Sequence, residues 1–153
     1  MKRHESIVAL SREHHFGLLF CWKIRQGIKK HVPTERIQPY IQYFWDYHLQ
    51  QHFEEEEKLL FAALQDDLCD QAILEHNNIR ELVASVNRII PVRPDKLILL
   101  ADTVDNHIRF EERTLFPHIE KELPEEVLAD IGLRLKLLHE GHPKDNYHDE
   151  FWV

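Results

Sequence analysis

Apolar residues recur along this chain at steps of three and four, in long runs separated by short polar or proline-marked interruptions. Ile7, Leu10, His14, Leu18 and Cys21 share one face of a first helix predicted over 6–30. "HVPTER" ends it. Thr34 then reads as the N-cap of a second helix running to about 64, with Ile37, Ile41, Phe44 or Trp45, His48, His52 and Glu56 along one side. Pro39 falls in its first turns, where a missing N–H costs less than in the middle of a helix. "QDDLCD" turns the chain, and Asp67 or Asp70 caps a third helix carrying Ile73, His76, Leu82 or Val83, and Val86. "PVRPD" is a firm break. A fourth helix over about 96–123 carries Leu100, Val104, His107, Glu111, Leu115 and Ile119, and a short fifth runs from Pro124 to about 138.

Four long amphipathic helices with short links predict an all-α, up-down antiparallel four-helix bundle with a short fifth helix. The bundle domain is expected over 1–138, and 139–153 as an irregular C-terminal tail. In that tail Phe151 and Trp152 are expected to strap back onto the bundle rather than to present a partner contact.

Composition adds exclusions. A chain of 153 residues suits one domain with its own core, and only four glycines agree with a helical rather than a turn-rich fold. The net charge of −8 opposes nucleic acid or an anionic membrane as a partner. No apolar run suffices for a membrane span or a signal peptide, and Cys21 and Cys69 stand apart, outside any CxxC pair. The expectation is a cytoplasmic protein with reduced thiols. One number changes the picture: twelve histidines, far more than packing requires.

Those histidines are patterned. His52 and Glu56 stand one helical turn apart on one face, and His107 and Glu111 repeat that spacing on the fourth helix. The third helix offers His76 and the first His14 or His15. Adjacent helical residues cannot both face the bundle axis; His14 shares its face with Ile7, Leu10, Leu18 and Cys21, and His15 with Val8, Ser11, Leu19 and Trp22. Helical geometry favours His14, with His15 as the alternative.

A single histidine such as His76 would ordinarily be a hydrogen-bonded core residue. Four facing inward beside two carboxylates would cost several kcal/mol if left unpaired. A pair of metal ions resolves this, because a carboxylate can bridge two cations while each neutral imidazole binds one. Nitrogen and carboxylate donors together suit iron or manganese. Glu54, Glu55, Glu57, Glu112, Glu120 and Glu122 read as solvated faces, and His139, His142 and His148 as solvated tail histidines.

The ordered set "SREHHFGLLF", "HFEEEEKLLF", "EHNNIREL" and "HIRFEERTLFP" resembles the hemerythrin-like, or HHE cation-binding, domains over about 10–123. The resemblance implies a bundle holding two iron ions, bridged by carboxylates and by solvent. His14 and His52 would serve one iron, His76 and His107 the other, with Glu56 and Glu111 bridging. It departs from the oxygen-carrying hemerythrins at one position: they have a histidine four residues after the one matching His76, and here Arg80 stands there. An arginine does not coordinate, so it is expected to reach outward or pair with a glutamate, leaving solvent or His48 to complete that iron.

What the resemblance implies is binding or sensing of dioxygen or nitric oxide at an open iron position, with a protein partner needed for sensing. The alternatives are an enzyme acting on peroxide or nitric oxide, or an iron storage or donation protein. Family members that repair iron-sulfur clusters carry a cysteine-bearing segment before the first helix, which lowers the expectation of repair here. Ferritin-like di-iron proteins are excluded, since they need Glu-x-x-His pairs and the chain has none.

Overall fold

The computed structural model of the chain describes residues 2–139 and 146–153. Helix α1 is Val8–Lys29. Helix α2 covers 34–61, with α-helical Thr34–Phe44 and Gln50–Glu55 alternating with π-helical Trp45–Leu49 and Glu56–Phe61. Helix α3 is Asp67–Val86. Helix α4 covers 94–122, with π-helical Glu111–Leu115 between Pro94–Phe110 and Phe116–Glu122. Helix α5 is Glu125–His139, so His139 closes a helix instead of opening the tail.

Cross-helix contacts run in opposite order along the pairs α1–α4 and α2–α3, as antiparallel packing requires. Arg3, ahead of α1, bonds Glu120 near the end of α4, while Arg25 near the end of α1 bonds Asp102 and Asp105. Between α2 and α3, Gln38 reaches the Val86 carbonyl and Glu57 meets Arg80.

Local endings differ from the sequence expectation in physical detail. Asp66 caps α3, its side chain accepting from the Cys69 N–H at 3.1 Å, in place of Asp67 or Asp70. Thr34 does not cap α2: its hydroxyl donates to the Val92 carbonyl at 2.8 Å and ties the helix to the link before α4. Leu18 is exposed, and Gly17 takes the buried position that the helical face predicted for it. Helix α1 ends in a Schellman turn, with the His31 N–H bonding Ile28 O and the Val32 N–H bonding Gly27 O. The turn places His31 at φ 58°, where glycine is the usual occupant.

The buried apolar residues form two clusters, one around Phe20, Tyr40, Phe44, Ile79 and Val104, the other around Leu10, Leu60, Ala72, Leu115 and Ile119. On α1 and α3 the inward histidine, His14 or His76, lies between the two, and on α2 and α4 the inward glutamate, Glu56 or Glu111, does. The core is therefore split by a polar belt. Residues 146–153 do strap onto the first cluster: Phe151 lies over Gly27, where a Cβ would come within 2.9 Å of the ring, and Lys23 Nζ sits 4.1 Å above the Trp152 ring. His148 is exposed, and His142 lies outside the described residues. Helix α5 packs closely across the start of α1, and a Cβ on Gly132 would meet Ser6 Cα at 2.9 Å.

Candidate metal centre

The polar belt gathers the residues singled out by spacing. His14, His52, His76, His107, Glu56 and Glu111 are all buried, Glu56, Glu111 and His76 completely so. His15, the alternative on α1, is exposed. Donor atoms of His14, His52, Glu56 and Glu111 lie within 4.8 Å of one another, as do those of Glu56, His76, His107 and Glu111. The two groups share both carboxylates. His48 belongs to neither; its ring packs against Tyr43 and Phe44.

Both shared carboxylates sit where the helix widens. Glu56 opens one π-helical segment and Glu111 another. Such segments re-aim side chains and recur at functional sites. In α4 the cause is visible in the sequence: Pro117 has no N–H to offer Arg113, so the α-helical ladder is already broken there.

Each imidazole is held from outside by a second carboxylate. His14 Nδ1 meets Glu112 at 2.6 Å, His52 Nδ1 meets Glu13 at 3.1 Å, His76 Nδ1 meets Glu57 at 2.7 Å and His107 Nδ1 meets Glu75 at 2.8 Å. The pattern is a closed ring. Helix α1 holds the histidine of α2, α2 that of α3, α3 that of α4, and α4 that of α1. With a carboxylate accepting at Nδ1, that nitrogen carries the proton and Nε2 is the atom turned inward. Arg80 backs one member of the ring, donating to both oxygens of Glu57 at 2.8 and 3.1 Å, so it pairs with a glutamate as expected. Phenylalanines fix the ring planes. Phe53 stacks on His76 at 3.8 Å between centroids and Phe116 on His14 at 5.2 Å.

Glu57, Glu112 and Glu55 are therefore not solvated faces: Glu55 is buried, and the other two, half-buried, hold histidines. The outer carboxylates Glu13 and Glu75 were also missed. A signal was present, because every outer carboxylate directly adjoins an inward residue, in the pairs Glu13–His14, Glu56–Glu57, Glu75–His76 and Glu111–Glu112.

The donor set fits a pair of metal ions. The Nε2 atoms of His52, His76 and His107, both oxygens of Glu56 and Oε2 of Glu111 are buried without a hydrogen-bond partner. Leaving such atoms unsatisfied costs about 1–3 kcal/mol each. Facing donors lie 3.4 Å apart for His52–Glu56, 3.1 Å for His76–Glu56 and 3.3 Å for His107–Glu111. Donors bound at about 2.1 Å to one cation stand roughly 3.0–3.4 Å apart, so little movement is needed. Without metal, protons take the cations' place. Burial lowers the pKa of His76, but Glu111, Glu56 and Glu57 outweigh it and lift it to about 10. Against the same opposition, Glu111 and Glu75 lift His107 to about 9. Burial opposes ionisation of Glu111 too, yet His107, His14 and His76 hold it well below the usual carboxylate range.

A cavity of about 870 Å³ reaches the belt from the side where α5 lies. His14, His52 and His107 form its floor, Phe44, Phe53, Val104 and Ile108 are among its walls, and Lys136 and His139 of α5 are at its edge. No helix among the described residues is long and apolar enough to cross a membrane.

The family model "Hemerythrin HHE cation binding domain" matches residues 4–119. No curated protein and no solved structure matches the chain significantly. With the family established, the two His/Glu clusters are those of a carboxylate-bridged di-iron site of the kind hemerythrins hold.

Proposed function

The chain belongs to the hemerythrin HHE cation-binding domain family, and on that premise we propose that it binds or senses dioxygen or nitric oxide at a di-iron centre. In this reading His14 and His52 hold one iron, His76 and His107 the other, and Glu56 and Glu111 bridge them. The observation that carries the reading is the ring of outer carboxylates, which leaves the imidazole nitrogens turned toward two shared carboxylates. A structural histidine core would have no need to fix four tautomers in one sense. Two reduced irons, when bound, supply electrons to dioxygen or a coordination site for nitric oxide.

The protein's own residues do the rest. Glu112, Glu13, Glu57 and Glu75 keep each imidazole protonated on its outer nitrogen and oriented inward, and raise its basicity as a donor. The apolar walls of the cavity, Phe44, Phe53, Val104 and Ile108, flank the approach to the histidine floor, so a small neutral molecule enters more readily than an ion. Arg80, committed to Glu57, contributes no donor, and His48 sits outside both clusters. The second iron thus keeps a position for solvent or an incoming molecule, and this favours a reactive or sensing centre over simple oxygen carriage.

The cavity also favours a second reading, because about 870 Å³ far exceeds the needs of a diatomic molecule. It would admit peroxide with its solvent, and the centre would then be an enzyme. Metal content and the visible spectrum of protein purified without oxygen, then exposed to air, separate the readings. About two irons per chain, with a band that appears in air and bleaches under vacuum, establishes reversible binding. An irreversible spectral change with peroxide consumption establishes turnover. Failure of the metal-free protein to take up iron would overturn both.

A further inference from the structure

The cavity that leads to the belt is walled by α1 and α5, with α2 and α4 behind them. Helix α5 lies beyond residues 4–119, which the family model matches, so this wall stands outside the matched domain. Phe16, Phe44, Phe53, Val104, Ile108 and Leu135 give the cavity an apolar lining, and Phe16 is 43 % exposed. Apolar surface left facing water is unfavourable. A volume of about 870 Å³ falls within the roughly 300–1,000 Å³ of sites that take organic ligands.

The charges at the mouth say what kind of ligand fits. A Cβ on Gly132 would come within 2.9 Å of Ser6, and His139 Nε2 stands 3.6 Å from Glu13 Oε1, so α5 follows α1 in the same direction. At about 1.5 Å per residue, Lys136 lies roughly 6 Å and Arg12 roughly 9 Å along from the first of these contacts. The two cations therefore stand at nearly the same height on facing walls of the cavity. Both are exposed, and neither makes an ion pair among the described residues. The other charged groups of the lining are placed or engaged elsewhere. Glu13 is held by His52 Nδ1 at 3.1 Å, His139 is held by Glu55 at 2.7 Å, and Glu5 stands at the end where Gly132 closes on Ser6.

We propose that this cavity binds an apolar organic molecule carrying one carboxylate, with the carboxylate between Arg12 and Lys136 and the apolar body directed toward the histidine floor. A guanidinium and an ammonium together take a carboxylate through charge-assisted hydrogen bonds, Arg12 with its bidentate fork. The apolar body displaces water from the aromatic and aliphatic walls, which supplies most of the affinity. Such a ligand sits beside the metal centre without needing to touch it, so the site goes beyond the diatomic-binding reading and does not rest on it.

The test is calorimetric titration of the iron-loaded full chain with octanoate, and with octanol as its uncharged counterpart. Saturable binding of one octanoate per chain is expected, with octanol held more weakly. Arg12→Ala and Lys136→Ala should each weaken octanoate about threefold, and the double variant about tenfold, with octanol unaffected. Ala9→Trp, which fills the cavity from its α1 wall, should abolish binding of both, with iron content unchanged. Absence of saturable octanoate binding, octanol bound as tightly, or octanoate undiminished in the double variant or in Ala9→Trp overturns the proposal. The same titration on metal-free protein separates this site from the centre. Octanoate binding that requires iron places the carboxylate on the metal and overturns the proposal, whereas binding that persists without iron supports it even if the chain takes up none.

Discussion

Replacing Glu57 by alanine tests the outer ring at one point. Glu57 accepts from His76 Nδ1 at 2.7 Å and is clamped by Arg80, and these two cations pull its pKa down to about 2 against the burial that would raise it. Two routes give the size of the effect. A hydrogen bond to a charged group contributes about 1.5–3 kcal/mol, toward the lower end for a side chain that is 25 % exposed. Loss of the outer partner of a metal-binding histidine typically lowers metal affinity about 10- to 100-fold, which corresponds to about 1.4–2.7 kcal/mol. The agreement sets the expectation. Glu57→Ala should weaken the ion served by His76 and His107 by one to two decades and leave the other nearly unchanged, since His14 and His52 have their own carboxylates.

Chelator competition, which resolves two stepwise constants, is the assay. Arg80→Ala should give a smaller loss in the same constant, because Arg80 reaches His76 only indirectly, through Glu57 and through the Phe53 ring it covers. Glu81→Ala, on the exposed side of α3, serves as the control. Two intact constants in Glu57→Ala, or an equal loss in Glu81→Ala, would refute the role assigned to the ring.

Removing a shared carboxylate should be more severe: Glu111→Ala or Glu56→Ala is expected to take iron content from about two per chain toward zero by elemental analysis, whereas His15→Ala leaves it unchanged. Metal-free protein should be most stable in acid-to-neutral solution and lose stability as pH rises. His76 and His107, lifted to about 10 and about 9 from 6.5, contribute fully below 6.5, and that contribution disappears as pH passes through their folded values. Urea titrations at pH 6.5 and 9.5 check the sign, and greater stability at pH 9.5 would refute it. His31→Gly should relieve the left-handed strain at the end of α1 and raise stability by about 1 kcal/mol, roughly 2–4 °C in Tm by calorimetry. Phe151→Ala should cost about 3 kcal/mol in urea unfolding if the C-terminal strap is part of the core, since the ring is 2 % exposed.

The fold was readable from periodicity because amphipathic helices declare their buried face through spacing alone. His52 and Glu56, His107 and Glu111 lie one turn apart, and no other part of the structure is needed to know that they share a face. Helical phase also separated His14, which is buried, from exposed His15. The same reasoning misplaced Leu18 and the caps at Thr34 and Asp67, where neighbouring elements decide: Gly17 packs under Ile108, and Thr34 is drawn to Val92.

What spacing within one helix does not contain is the partner on the next. Glu13 and Glu75 each precede a histidine in sequence but hold the histidine of the following helix, and Glu57 and Glu112 look like members of solvated glutamate runs until the neighbouring helix is in place. The widening of α2 and α4 at Glu56 and Glu111, and the meeting of Glu13 and Glu55 with His139, depend likewise on packing between rods. A helical repeat fixes which way a side chain points. Only the assembled bundle fixes what it points at.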